Sequence, residues 1–145
     1  MASDAAPLPG PFNIHVEDEV SPLKTVLVHE PGAEMDRLTP PNHDVLLFDD
    51  LLSPDKAKAE HAYFVDTMRQ EGVQVVDFLD LFRETLAKPE AKDYVLENTV
   101  NYKRLGPLLA PALVEWASDL SPEGVARLCV EGITKGEWEE IQQVP

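Results

Sequence analysis

Three aspartates in the first third of the chain are the residues whose type and grouping could best carry chemistry. Asp44 lies shortly before the adjacent pair Asp49 and Asp50, in a loop between a predicted strand and a predicted helix. Carboxylates grouped in this way can bind a cation, and they hold a planar guanidinium group through two parallel hydrogen bonds. The alternative is a solvated loop before a helix N-terminus, where the helix dipole favours negative charge. Both interpretations stay open, and the second is the commoner arrangement.

The single cysteine, Cys129, could be a nucleophile. A catalytic thiol needs a nearby base and an electropositive setting. Cys129 instead lies between Leu128 and Val130, close to Glu131, and its spacing from Val125 places it on the apolar side of a predicted helix. We therefore interpret Cys129 as a core residue. A single cysteine also excludes an internal disulfide, which is typical of a reducing compartment, and we expect a cytoplasmic protein.

The four histidines give no metal-binding pattern. His15, His29, His43 and His61 are spread along the chain with no pair at i, i+3 or i, i+4, whereas zinc sites usually bring two ligands close in sequence. His61 is predicted to be packed and hydrogen-bonded on the inner face of a helix. No glycine-rich phosphate loop, nucleophile elbow or Cys-x-x-Cys motif is present. The residues by themselves therefore indicate no catalytic group, no metal and no cofactor.

The first half of the chain has the pattern of a strand–helix–strand unit. Residues 24–29 and 73–78 are short apolar runs typical of buried strands. Between them, Ser53 and Pro54 predict a helix start, and Gly72 predicts its end. The predicted inner face of this helix consists of Ala57, His61, Phe64, Val65 and Met68. This order predicts parallel strand pairing through a right-handed crossover.

From Leu79 onward the apolar period becomes helical, and the second half is predicted to be a cluster of short helices. Thr134 and Glu137 have capping-box spacing. Trp116 and Trp138 fall at core spacing, so we interpret both as buried rather than as a binding platform.

Two strands do not form an independently stable sheet, so we expect further strands from missing chain or from self-association. The formal net charge of −15 repels phosphates, so we set nucleic-acid binding aside. This charge would favour a cationic small molecule or a basic partner, but an acidic surface that only keeps the protein soluble is the commoner arrangement. The longest apolar stretch, residues 105–114, is broken by glycine and proline and is too short to cross a membrane. Residues 1–12 are expected to be a flexible arm, because they are mostly small residues and prolines with a single charged side chain, Asp4. They have no features of a secretory signal.

The order of several blocks resembles the opening of bacterial arginine deiminases, in register from residue 13 to 140. These blocks are residues 15–19 (HVEDE), 23–32 (LKTVLVHEPG), 38–40 (LTP), 44–50 (DVLLFDD), 57–61 (AKAEH), 64–65 (FV), 72–76 (GVQVV) and 132–135 (GITK). The resemblance implies an α/β fold in which the strand–helix–strand unit starts an α/β propeller and a helical insertion domain follows. In this chain the propeller part would be residues 13–78 and the insertion residues 79–145.

The resemblance also implies chemistry. Arginine deiminases hydrolyse L-arginine to L-citrulline and ammonia without a metal or organic cofactor, through a cysteine nucleophile near their C-terminus, an acid–base histidine and guanidinium-binding acids. This sequence ends at Pro145, before the segment that carries the first of those acids, and Cys129 does not match the nucleophile. The family residue that carries over is a substrate-contacting leucine, which matches Leu47. Asp50 is expected to help shape the same rim without a catalytic role.

Three hypotheses follow. The first is the N-terminal part of a longer arginine deiminase, inactive as residues 1–145 alone. The second is a catalytically dead, truncated paralogue that acts as a binding or regulatory module. The third is a free-standing acidic α/β domain, which would predict family blocks out of order, whereas the blocks here occur in order.

Overall fold

A short parallel sheet, one 3-10 helix and six α-helices form the secondary structure of the described part of the chain, which in this computed structural model comprises residues 15–46, 48–50, 52–100 and 102–143. Strand β1 (Thr25–Val28) pairs in parallel with β2 (Gln74–Asp77), and Thr25 lies opposite Gln74. The predicted strand–helix–strand unit is therefore confirmed, with each strand one residue shorter at both ends. A 3-10 helix (Ala33–Arg37) follows β1.

Helix α1 (Pro54–Gln70) connects the two strands, as predicted. Ser53 has the extended backbone of an N-cap and Pro54 occupies the first turn, but the Ser53 side chain makes no capping hydrogen bond. Val65 and Met68 are buried, whereas Phe64 is 58% exposed. The prediction that Phe64 faces inward is therefore wrong, because two described strands are too narrow to cover the whole apolar face of α1.

Five further helices form the predicted helical cluster. They are α2 (Phe78–Leu86), α3 (Pro89–Thr99), α4 (Tyr102–Ser118), α5 (Pro122–Glu131) and α6 (Lys135–Gln143). Helix α2 begins directly after β2, where the Asp77 carboxylate accepts a hydrogen bond from the Asp80 N–H at 3.1 Å. Gly106, with φ of 78°, interrupts α4 near its start.

The main hydrophobic core lies within the helical cluster. Leu86 from α2, Leu96 from α3, Ala117 from α4, and Val125 and Ala126 from α5 are all at most 2% exposed. The ring centroids of Trp116 and Trp138 lie 5.7 Å apart in an edge-to-face contact, and both side chains are half-buried. This contact supports the packing role predicted for them.

The fold class is thus mixed α/β, with helix predominating and a two-stranded sheet among the described residues. The α/β propeller, and the domain boundary after residue 78, stay predictions. Within the described ranges, no helix is both long enough and apolar enough to cross a membrane.

Gly132, which joins α5 to α6, provides a test of local backbone strain. Its φ of 74° and ψ of −171° lie in a region that residues with a Cβ rarely adopt, and no atom would obstruct an added Cβ within 4 Å. We expect Gly132→Ala to lower the free energy of unfolding by about 1–3 kcal/mol through strain alone. Urea denaturation measures this change.

Gly136 is the matched control, because it lies inside α6 and an added Cβ would also meet no atom within 4 Å. Gly136→Ala is expected to raise the free energy of unfolding by at most about 0.5–1 kcal/mol, since alanine favours helix and this range applies to the middle of a helix rather than to its first turn. Equal changes in the two variants would contradict the strain assigned to Gly132.

Candidate functional site

Leu47, the predicted substrate contact, belongs to the segment of residues 38–50, called here the Leu47 loop. Leu47 itself lies outside the described residues. Its neighbours form a compact turn, because the Leu46 N–H donates to the Asn42 carbonyl at 3.0 Å and the Phe48 N–H donates to the His43 carbonyl at 2.9 Å. The chain on both sides of Leu47 is therefore held by local hydrogen bonds.

Polar side chains rather than apolar packing hold this loop. Asn42 and His43 are half-buried, whereas Val45 is 80% and Leu46 51% exposed. The Asn42 amide oxygen accepts from the Thr39 N–H at 2.7 Å. The His43 Nδ1 lies 3.0 Å from the Phe48 carbonyl, which only accepts, so this nitrogen carries the proton.

The aspartates of the loop point to solvent. Asp44 has a side chain 88% exposed, with an oxygen 3.4 Å from the His43 ring, and Asp49 and Asp50 are exposed. Within the described ranges, no three His, Cys, Asp or Glu side chains stand where they could hold a metal ion. The exposure favours the solvated-loop interpretation of this carboxylate group.

Arg37 joins the start of the loop to the helical cluster. Its guanidinium donates to the carbonyls of Glu131 at 2.7 Å and Gly132 at 3.2 Å, and to the Glu137 carboxylate at 2.9 Å. These four residues are called here the Arg37 cluster. Sequence reasoning missed it, because the partners lie 94 to 100 positions away from Arg37.

Glu137 has two tasks in this cluster. Its carboxylate accepts from the Thr134 N–H at 2.6 Å and from the Thr134 hydroxyl at 2.8 Å, while its own N–H donates to that hydroxyl, so the predicted capping box is confirmed. The Thr134 N–H, then Arg37 and the Thr134 hydroxyl, lower the pKa of Glu137 to about 2.

This lowered pKa predicts an acid-dependent contribution to stability. Because the folded pKa lies below the ordinary value of 4.5, the contribution is fully present above pH 4.5 and is lost as the pH falls towards about 2. We expect Glu137→Gln to destabilise the protein at pH 6 and to differ progressively less from the parent as the pH is lowered to 3. Urea denaturation across this range tests the prediction.

Glu139→Gln is the control on the same helix, because Glu139 is exposed and has a 3.5 Å ion pair with Lys135. Exposed pairs of this kind contribute little. A difference between the Glu137→Gln variant and its parent that stays constant with pH would contradict the ionic role of Glu137.

A second polar contact lies just after β1. The His29 Nε2 is 3.1 Å from a Glu34 oxygen, which also accepts from the Gly32 N–H at 2.7 Å. Burial raises the pKa of Glu34, but the hydrogen bonds from the backbone N–H groups of Gly32 and Glu34 and from His29 outweigh it and leave the pKa below its ordinary value. The ring centroids of His29 and Phe78 lie 6.0 Å apart in an edge-to-face contact. This ring contact connects the end of β1 to α2.

His61 lines a cavity of about 120 Å³ near the carboxyl ends of both strands. Within the described part of the chain its buried Nδ1 has no hydrogen-bond partner, and the hydrogen bond expected for His61 stays a prediction. The acidic groups that line this cavity are already engaged: Glu30 pairs with Lys58 at 2.9 Å, Asp66 with Arg69 at 3.4 Å, and Asp77 caps α2.

Cys129 packs against the core as predicted. It is half-buried, and burial raises the pKa of its thiol, although a hydrogen bond with Thr99 opposes the change. A thiol with a raised pKa holds less thiolate at neutral pH and is a poor nucleophile. The geometry therefore favours the core interpretation.

An open groove of about 550 Å³ runs along the Arg37 cluster. Its walls include Trp116, Leu128, Ile133 and Ile141, with Glu140 as a further charged lining residue. None of the residues considered in the sequence for nucleophilic or metal chemistry lines it. The described geometry thus contains supporting contacts around the Leu47 loop and no assembled catalytic group.

A comparison with known protein families identifies the family of this chain. The family model described as arginine deiminase matches residues 44–144, more than half of the chain. The chain belongs to the arginine deiminase family. The match covers the second part of the Leu47 loop and all six helices, which places the helical cluster within the arginine deiminase region. The blocks before residue 44 lie outside the match and stay a resemblance.

Proposed function

We propose that this chain is the N-terminal part of an arginine deiminase that hydrolyses L-arginine to L-citrulline and ammonia. The observation that carries the proposal is the family match over residues 44–144, which includes the position of Leu47. The strongly acidic composition, with a formal net charge of −15, agrees with a cationic substrate.

The proposed reaction proceeds in two stages. A thiolate of the complete enzyme attacks the guanidinium carbon and ammonia leaves, and water then hydrolyses the covalent intermediate to release citrulline. Acidic groups hold the guanidinium nitrogens, and no metal or organic cofactor takes part. Within this chain we assign Leu47 to the substrate contact and no residue to the chemical steps.

The residues described here support a scaffolding role. Cys129 has a half-buried thiol with a raised pKa, and the aspartates of the Leu47 loop are exposed. Neither arrangement provides an activated nucleophile beside a base. We therefore propose that residues 1–145 alone are inactive, and that the catalytic groups come from other parts of a longer protein.

A specific observation favours a second candidate, a catalytically dead paralogue that acts as a binding or regulatory module. Each of the two described strands has one edge that no other described strand covers, and Leu27 in β1 is 53% exposed. Unpaired edges with exposed apolar residues favour pairing with another chain or with a second copy. This candidate would use the same scaffold for assembly.

Isolation of the protein from its source distinguishes the two candidates. The protein would be captured with an antibody against residues 1–145, its intact mass measured, and its product from L-arginine identified by mass spectrometry. A mass well above 16.1 kDa together with citrulline formation is expected for a working deiminase. A mass of 16.1 kDa without citrulline formation would overturn the first proposal and favour the binding module.

A further inference from the structure

We infer that Arg37 is a positioning residue that holds the described residues of the Leu47 loop against the junction of α5 and α6, and that the substrate affinity of the complete enzyme depends on this connection. The first part of this inference concerns contacts in the described chain. The second part rests on the proposed function, because it assumes that Leu47 touches L-arginine.

The side chain of Arg37 forms hydrogen bonds with the helical cluster. It reaches the Glu131 carbonyl at 2.7 Å, the Gly132 carbonyl at 3.2 Å and the Glu137 carboxylate at 2.9 Å. The two carbonyls lie at the C-terminal end of α5, where backbone oxygens lack helical partners and a positive charge is favoured. Glu137 in turn caps α6 through Thr134. One guanidinium therefore fixes the ends of two helices relative to the 3-10 helix.

The main chain of Arg37 forms a hydrogen bond with the Leu47 loop. Its carbonyl accepts from the Asn42 side-chain amide at 2.9 Å, and the Asn42 carbonyl accepts from the Leu46 N–H at 3.0 Å. An unbroken series of hydrogen bonds thus runs from the α5–α6 junction through Arg37 and Asn42 to the residue next to Leu47.

Apolar burial does little to hold this loop in place. Val45 and Leu46 are 80% and 51% exposed, and Phe48 is 38% exposed. A segment with few buried apolar contacts opens at low free-energy cost unless hydrogen bonds restrain it. The position of the loop therefore depends on its polar connections, of which Arg37 provides the link to the helices.

The three acceptors require arginine rather than lysine. The guanidinium is a planar group with donors in a fixed fork, so it can serve two carbonyls and a carboxylate at once. A lysine ammonium is a single point of charge, and it would retain the attraction to Glu137 while losing the fixed geometry. The Arg37→Lys variant is therefore expected to be intermediate.

Hydrogen exchange of the 145-residue chain tests the first part of the inference. We expect Arg37→Met to speed exchange about tenfold or more at the Asn42, His43, Leu46 and Phe48 amides, because loop opening becomes easier. Amides of α1 near Val65 should be unchanged. Arg127→Met is the matched control. Arg127 also contacts Glu131, at 2.9 and 3.1 Å, but it binds the Glu131 carboxylate rather than the carbonyl that Arg37 binds.

Asn42→Ala gives a second, independent variant in case Arg37→Met fails to fold. This substitution removes the link at the loop end and leaves the Arg37 cluster intact. Faster exchange at Leu46 and Phe48 is expected again. Equal exchange in parent, Arg37→Met and Asn42→Ala, or the same acceleration in Arg127→Met, would overturn the inference.

Steady-state kinetics of the native-length protein tests the second part. Displacing a substrate contact should raise KM for L-arginine about tenfold while kcat changes less, because the loop binds substrate and supplies no reacting group. Arg37→Lys should recover part of this loss, and Arg127→Met should match the parent. An unchanged KM in Arg37→Met, despite faster exchange, would overturn the positioning role. Absence of citrulline formation by the parent protein would instead overturn the proposed function.

Discussion

Leu86→Ala is expected to lower the free energy of unfolding by about 2–5 kcal/mol, the range for removal of a fully buried leucine side chain. Leu86 is 1% exposed at the end of α2 and belongs to the core that joins α2, α3, α4 and α5. The loss combines reduced burial with the cavity left behind, since the surrounding helices relax only in part. It is a large fraction of the stability of an ordinary domain, so partial unfolding at room temperature is expected.

Leu108→Ala is the control for this substitution. It makes the same chemical change in the same helical cluster, but Leu108 is 88% exposed. Its effect should stay within about 0.5 kcal/mol. Urea denaturation, followed by circular dichroism at one protein concentration, measures both variants. Similar losses in the two variants would show that the core is not where the structure places it.

The 145-residue chain is expected to form no citrulline from L-arginine, and Cys129→Ala is expected to leave that result unchanged. The physical reason is the state of the thiol: Cys129 is half-buried, its pKa is raised, and it packs with Leu128 against the core. Catalysis by a thiol requires a thiolate and a base that delivers it. Mass spectrometry of long incubations at high protein concentration gives the required sensitivity.

Two controls make the absence of product informative. An active arginine deiminase added to the same mixture should produce citrulline, which shows that the conditions support turnover. Circular dichroism should show that the 145-residue chain is folded. Citrulline formation that disappears in Cys129→Ala would contradict both the core role of this cysteine and the inactivity of residues 1–145.

Some elements of the fold could be predicted from local sequence patterns, whereas the orientation of one side chain could not. The strands, α1 and the cap at Thr134 depend on residues within a few positions of each other, so their patterns are visible in the sequence. The orientation of Phe64 depends on how much sheet covers α1, which is a property of the assembled fold. That prediction failed for this reason.

The candidate site also has features that the sequence predicted and features that only the structure revealed. Leu47 was chosen from its place in the DVLLFDD block, and the family match includes that block. The aspartates beside it left two interpretations open, and their exposure favours one of them. The contacts that hold the loop could not be predicted from the sequence, because an arginine at position 37 gives no indication of acceptors near position 131.

The sequence by itself determined the strand–helix–strand unit, the limits of α1, the interpretation of Cys129 as a core residue and the family. Each of these depends on local spacing or on blocks in a fixed order. The tertiary structure alone decided that Arg37 joins the Leu47 loop to the ends of α5 and α6, that His29 pairs with Glu34, and that the His61 Nδ1 lacks a partner within the described residues. Side-chain hydrogen bonds act over about 3 Å and depend on direction, so only the packed chain brings such partners within reach.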